Sequence, residues 1–168
     1  EAQYGDVIVY CDSGNELDIR KKDKIKELLD ACSNEQIIGS IFQGHEDISC
    51  RSELYWTKHD VLLSLNANIS DRILHSPQRE VNSLIICKTK KTEKLMKEWC
   101  DTCVKNYQYI NDFPSYVPNL PEFIVHKHVQ SVFSILSKHH NIFSEKYTTR
   151  GVIDVLRNHR KESMLNEI

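Results

Sequence analysis

The sequence predicts an α/β protein built as a mixed sheet with flanking helices. Three observations predict it. A short β-branched run, Val7-Ile8-Val9-Tyr10, is followed by a helical segment and then by a second apolar run, Ile37 to Phe42. That strand–helix–strand order builds parallel or mixed sheets. The apolar residues of the middle segment, Ile25, Leu28, Leu29 and Cys32, recur at i, i+3, i+4 and i+7, the seam of an amphipathic helix. The 168 residues, 40% hydrophobic and 27% charged, suit a single domain over residues 1–168 with a real core.

Each element follows in order. Val7 to Tyr10, after Gly5-Asp6, reads as a buried strand, and Ser13-Gly14-Asn15 breaks it. The first helix runs to about residue 32. Gln43 to Arg51 is polar and loop-like. Thr57 can cap a helix carrying Val61, Leu62 and Leu65, with Asp60 as a weak capping-box partner. Asn66 to Arg79 is irregular, and Ser83 to Cys87 is a third strand. Thr92 opens a helix buried through Leu95, Met96, Trp99 and Cys103. Asn111 to Pro121 holds three of the four prolines and excludes regular structure. A helix with the seam Val129, Val132, Phe133 and Leu136 follows. A last amphipathic helix is expected from about Val152 to Leu165, within a C-terminal helix and tail spanning 141–168.

Composition excludes some classes. A net charge of −2 leaves no basic footprint for nucleic acid. No apolar stretch is long enough to span a bilayer. Six scattered cysteines read as reduced thiols, which leans toward the cytoplasm. A chain that opens within a few residues of a buried-looking strand reads as a fragment or an excised domain.

Four constellations can carry chemistry. Asp12 stands at the carboxyl end of the first strand beside Gly14, where open α/β sheets bind ligands. It suits a hard divalent cation, with Glu16 one turn on, or simply an Asx turn. His126 and His128 enter a helix after the proline-rich loop, as ligands, as proton carriers or as a polar helix start. Cys100 and Cys103 have zinc-like spacing, although Cys103 also falls on a buried seam. Asp112 lies in Asn111-Asp112-Phe113-Pro114-Ser115, as a base, a hydroxyl acceptor or a turn residue.

Together, certain segments resemble a known family. They are Gly5 to Gly14 (Gly-Asp-Val-Ile-Val-Tyr-Cys-Asp-Ser-Gly), Trp56-Thr57-Lys58-His59-Asp60, Gln78, Trp99, Asn111 to Ser115, Asn119, Phe123 and His126 to Leu136. The chain resembles putative GT-A-type glycosyltransferases of bacteria, algae and large DNA viruses. Their pattern reads approximately G-D-[IV]-[VI]-x-Y-x-D-[AS]-G, then W-T-K-x-D, then H-R-H-D-Q-S-[IV]-F-S-L-L. The likeness covers about residues 5–140 and implies the C-terminal part of a GT-A, nucleotide-diphospho-sugar transferase fold, truncated at its N-terminus.

The resemblance implies metal-assisted, hexosyltransferase-like transfer of a sugar from a nucleotide-sugar donor to a hydroxyl of a saccharide or glycan. It implies Asp12 and His126 as ligands of Mn2+ or Mg2+, Asp112 and His128 as catalytic groups, and Gln78, Gln130 and Ser131 as substrate-binding. Val129 departs from the pattern, because it stands where the family carries Asp. A non-catalytic relic that binds carbohydrate or protein is the alternative.

Overall fold

The computed structural model describes residues 1–43, 48–67 and 71–155. The elements are β1 (Val7–Cys11), β2 (Asn15–Leu17), α1 (Lys22–Glu35), β3 (Ile37–Ile41), α2 (Glu53–Trp56), α3 (His59–Ser64), α4 (Asp71–Leu74), β4 (Arg79–Cys87), α5 (Lys90–Lys105), α6 (Val129–His140) and β5 (Ile153–Val155). The protein is therefore mixed α/β. Its chain divides into two compact units. The first comprises 1–40, 81–89 and the segment from Phe143 onward; the second comprises 41–80 and 90–142.

Three strands lie in the order β1-β4-β3. β1 and β4 are antiparallel, with Val9 opposite Ile85. Cys87 N–H donates to Gln36 O and Phe42 N–H to Gln78 O, so β4 residues descend as β3 residues rise. This sheet is thus antiparallel where a mixed one was expected. β1 and β3 do point the same way across α1, but β4 lies between them.

In the first unit α1 lays Leu28 and Cys32 on the sheet, against Ile38, Ile85 and Cys87, with Val152 and Ile153 completing the cluster. The helix outruns its expected end and stops at Glu35, where Gln36 turns at φ 70° and its N–H donates to Cys32 O. The expected C-terminal helix is corrected at its start. Gly151 turns at φ 77°, and Ile153 to Val155 pair with Leu17 to Asn15 as a small antiparallel ribbon. Residues 156–165 of that expectation lie outside the described residues.

β1 is also corrected. Its apolar run reads as buried, yet Val7, Ile8, Val9 and Tyr10 are 36–49% exposed. The cause is its place at the end of the strand order, paired with β4 alone among the described residues.

In the second unit α5 packs on α6, with the Trp99 and Phe133 rings 5.0 Å apart. Val132, Phe133, Ile135 and Leu136 of α6 are buried, together with Trp56, Val61, Leu62 and Leu95. Val129, placed on that seam by its spacing, is instead 39% exposed. Lys58 is the N-cap of α3, not Thr57, whose hydroxyl is used elsewhere. Asn141 ends α6 in the left-handed conformation, and Lys138, His139 and His140 complement the last turn. No helix of the described residues is long and apolar enough to cross a membrane.

Gly39 offers a sharp test of the first unit's packing. A Cβ there would lie 2.8 Å from a Leu84 methyl and 2.9 Å from the Phe143 ring. Gly39→Ala is expected to cost about 1–3 kcal/mol by overpacking. Urea denaturation reads this directly, and an unchanged midpoint contradicts the packing described.

Candidate functional site

The second unit is organised around Glu53, which no sequence motif singled out. Its carboxylate is wholly buried. Oε1 accepts from the Ser134 hydroxyl and from the Lys138 ammonium. Oε2 accepts from Thr57 Oγ1 at 2.8 Å and from Gln78 Nε2 at 3.0 Å. Burial pushes the Lys138 ammonium down from its ordinary range, and Glu53 opposes that shift. The only advance sign was on α6, where Ser131, Ser134 and Ser137 recur every third residue among apolar neighbours. All three are fully buried, so each hydroxyl must find a partner.

Trp56 to Asp60 then pins the long segment between α5 and α6. That segment has almost no internal ladder, so its backbone groups need outside partners. The buried Lys58 ammonium reaches the carbonyls of Gln108, Asn111 and Phe113. Burial lowers the pKa of this lysine. His59 N–H donates to Asn119 Oδ1 at 3.0 Å, and its ring bonds Pro118 O at 2.7 Å. Asp60 Oδ2 accepts from Tyr116 N–H at 3.0 Å. Tyr55 O accepts from Ile124 N–H at 2.8 Å.

This framework brings two expected residues together. His128 Nε2 lies 2.7 Å from Asp112 Oδ1, although sixteen residues separate them. The His128 side chain is 42% exposed and that of Asp112 93%. In the neutral ring this bond puts the proton on Nε2 and leaves the lone pair on Nδ1. His128 has φ 50° and ψ −127° at the head of α6, conformations that strain a residue with a side chain.

The other expected residues lie elsewhere. His126, read from the sequence as a metal ligand, is buried with both ring nitrogens engaged. Nδ1 accepts from Lys58 N–H at 3.2 Å, and Nε2 bonds Tyr109 O at 2.7 Å. Burial lowers its pKa to about 4, against a smaller upward pull from Tyr109 O. Gln78 and Ser131 are wholly buried and spend their polar groups inside the network. Gln130 is half-buried, with Nε2 donated to Gln78 Oε1 at 2.8 Å.

Asp12 belongs to the first unit. It is half-buried after β1; its Oδ1 accepts from the Tyr10 hydroxyl at 2.8 Å, and its O accepts from Asn15 N–H. The bond from the Tyr10 hydroxyl to Asp12 raises the Tyr10 pKa. Glu16 sits exposed on β2. Cys100 is exposed and Cys103 half-buried, its thiol pushed up to about 11 by burial and then by Cys100. Among the described residues no three His, Cys, Asp or Glu side chains gather into a metal-holding group.

No family model, no curated protein and no solved structure matches the chain.

Glu53→Gln leaves the Lys138 charge without its counter-ion and is expected to cost about 3–5 kcal/mol. Adding Lys138→Met should return part of that loss, and additive costs by urea denaturation contradict the coupling. His126 sets a pH dependence. Its folded pKa of about 4 lies below the ordinary imidazole value of 6.5, so the unfolded chain takes the proton first. Its contribution is whole above pH 6.5 and is lost as pH falls toward 4, on the order of 3 kcal/mol in all. His126→Gln should flatten stability against pH across that window.

Proposed function

We propose that this chain is a GT-A-type glycosyltransferase-like region in which His128 is the general base. Oriented by Asp112, His128 Nδ1 takes the proton of an acceptor hydroxyl. The freed oxygen forms its bond to the donor sugar as the bond from that sugar to the nucleoside diphosphate breaks. The observation that carries the reading is the 2.7 Å bond between His128 and Asp112 at the protein surface. A carboxylate fixing one imidazole nitrogen leaves the lone pair of the other in a defined place, as base chemistry on a hydroxyl requires. The likeness at Trp56 to Asp60 and at His126 to Leu136 supports the same class.

Asp12 is the residue this reading assigns to Mn2+ or Mg2+. One carboxylate suits such an ion only where phosphate oxygens and water complete the shell. When bound, the ion would neutralise the donor diphosphate. With both ring nitrogens engaged, His126 belongs to the scaffold in this reading. Gln130, half-buried two residues after His128, is the group this reading assigns to contact with a saccharide.

The second reading is a non-catalytic module that binds carbohydrate or a partner protein. Val129 favours it: an exposed valine next to the base stands where the family pattern has a carboxylate.

Kinetics against a panel of nucleotide sugars with manganese separate the two. Under the transfer reading, His128→Ala lowers kcat by about 10²–10⁴ and Asp112→Asn lowers it by a smaller factor. Val129→Asp raises turnover if the missing acid limits it. An absence of turnover, together with no metal-dependent nucleotide binding by calorimetry, sinks the transfer reading and leaves the binding module.

A further inference from the structure

We infer that Ser131 and Gln78 are positioning residues that force His128 into its strained backbone conformation and so hold its imidazole on Asp112. This rests on the reading of His128 and Asp112 as the reacting pair. The conformation of His128, φ 50° and ψ −127°, is one that glycine adopts freely and other residues do not. Such strain persists only where the surroundings over-determine it.

Here the over-determination can be traced bond by bond. Residues 127 to 131 form an arch with both feet on one acceptor. Lys127 N–H donates to Trp56 O at 3.1 Å, and the Ser131 hydroxyl donates to the same oxygen at 2.8 Å. The feet are also tied to each other, because Lys127 N–H donates to Ser131 Oγ at 3.2 Å. Gln78 locks the second foot twice. Its Nε2 donates to Ser131 Oγ at 3.1 Å, and its Oε1 accepts from Gln130 Nε2 at 2.8 Å. The pin itself is fixed, since Trp56 is wholly buried and its indole N–H donates to Cys50 O.

Three residues must therefore bridge two feet that meet on a single carbonyl. Ser131 N–H closes the span by donating to His128 O at 3.1 Å. Gln130 N–H donates to Lys127 O at 3.0 Å, so His128 is the first corner residue of that turn and takes its positive φ. The bonds of His126 to Lys58 and Tyr109 fix the approach from the N-terminal side. With the backbone held at both ends, the ring has little freedom to leave Asp112. Ser131 and Gln78 are wholly buried and reach solvent nowhere, so they act through His128 and not on a substrate.

The test reads the His128 ring, not turnover. Ser131→Ala removes one oxygen from the arch. By ¹H–¹⁵N correlation spectroscopy the parent His128 should show a single tautomer with the proton on Nε2. Ser131→Ala should show a mixture of tautomers at His128, while the buried His126 keeps its pattern. Ser131→Thr keeps the oxygen and should keep the parent pattern.

A second readout measures the strain itself. In the parent, His128→Gly should melt about 3 °C above His128→Ala, because glycine relieves the strain and both lose the imidazole. In the Ser131→Ala background that difference should shrink toward zero. A folded Ser131→Ala protein with an unchanged His128 tautomer and an unchanged Gly–Ala difference overturns the inference. If Ser131→Ala does not fold, Gln130→Ala removes the tie to Gln78 and is read in the same two ways. Neither readout needs turnover. An inactive protein with a coupled arch refutes the transfer reading alone, and an active protein with an uncoupled arch refutes the arch alone.

Discussion

The second unit depends on a single constraint, the buried carboxylate of Glu53. A carboxylate removed from water costs several kcal/mol unless it is paired and hydrogen-bonded. Glu53 meets that demand with Lys138, Ser134, Thr57 and Gln78. These donors come from α6, from the end of α2 and from the entry to β4. The requirement for all of them at once fixes how α6 meets α2. A buried pair of this kind adds little net stability against an apolar alternative. Its bonds are all made in the register of α6 that sets Ser131 on the Trp56 carbonyl.

The consequences run outward from Trp56. With α2 and the start of α3 fixed, residues 55 to 60 present carbonyls, amides and side chains to a segment that cannot form its own ladder. Lys58 gathers three carbonyls of that segment, and Asp60 and His59 take two further points on it. A proline-rich connection between α5 and α6 thereby acquires a defined path. Asp112 is held on that path, which is why an exposed aspartate stands within hydrogen-bond distance of a histidine at the head of another element.

What could be read in advance follows from the range of each interaction. α5 and α6 were legible because their apolar spacing is local, and the irregularity of Asn111 to Pro121 was legible because proline acts on its own backbone. The exposure of β1 was not. Its composition speaks of burial, whereas its place at the end of the strand order depends on β4, more than seventy residues later. The three-residue pair β2 and β5 carries too little pattern to detect, and Val152-Ile153 passed for a helical seam. Asp112 and His128 were legible as residue types able to do chemistry. Their meeting was not, because it depends on Lys58 and on the arch. Glu53 and Lys138 were illegible for the same reason: a buried ion pair 85 residues apart leaves only its serine partners as a trace.

The energetics of His128 argue for a role beyond stability. Its backbone conformation costs about 1–3 kcal/mol relative to glycine. Its exposed bond to Asp112 returns about 0–1 kcal/mol, since water competes for both partners. The ring gains an edge contact with His126 at 5.6 Å, but nearly half of the side chain remains in solvent. Glycine would serve the turn at lower cost, and asparagine would tolerate it better. What histidine alone supplies there is an imidazole of fixed orientation, one nitrogen committed to a carboxylate and the other facing away from it. That is a poor way to stabilise a fold, and it is the arrangement that the proposed role of His128 as a base requires.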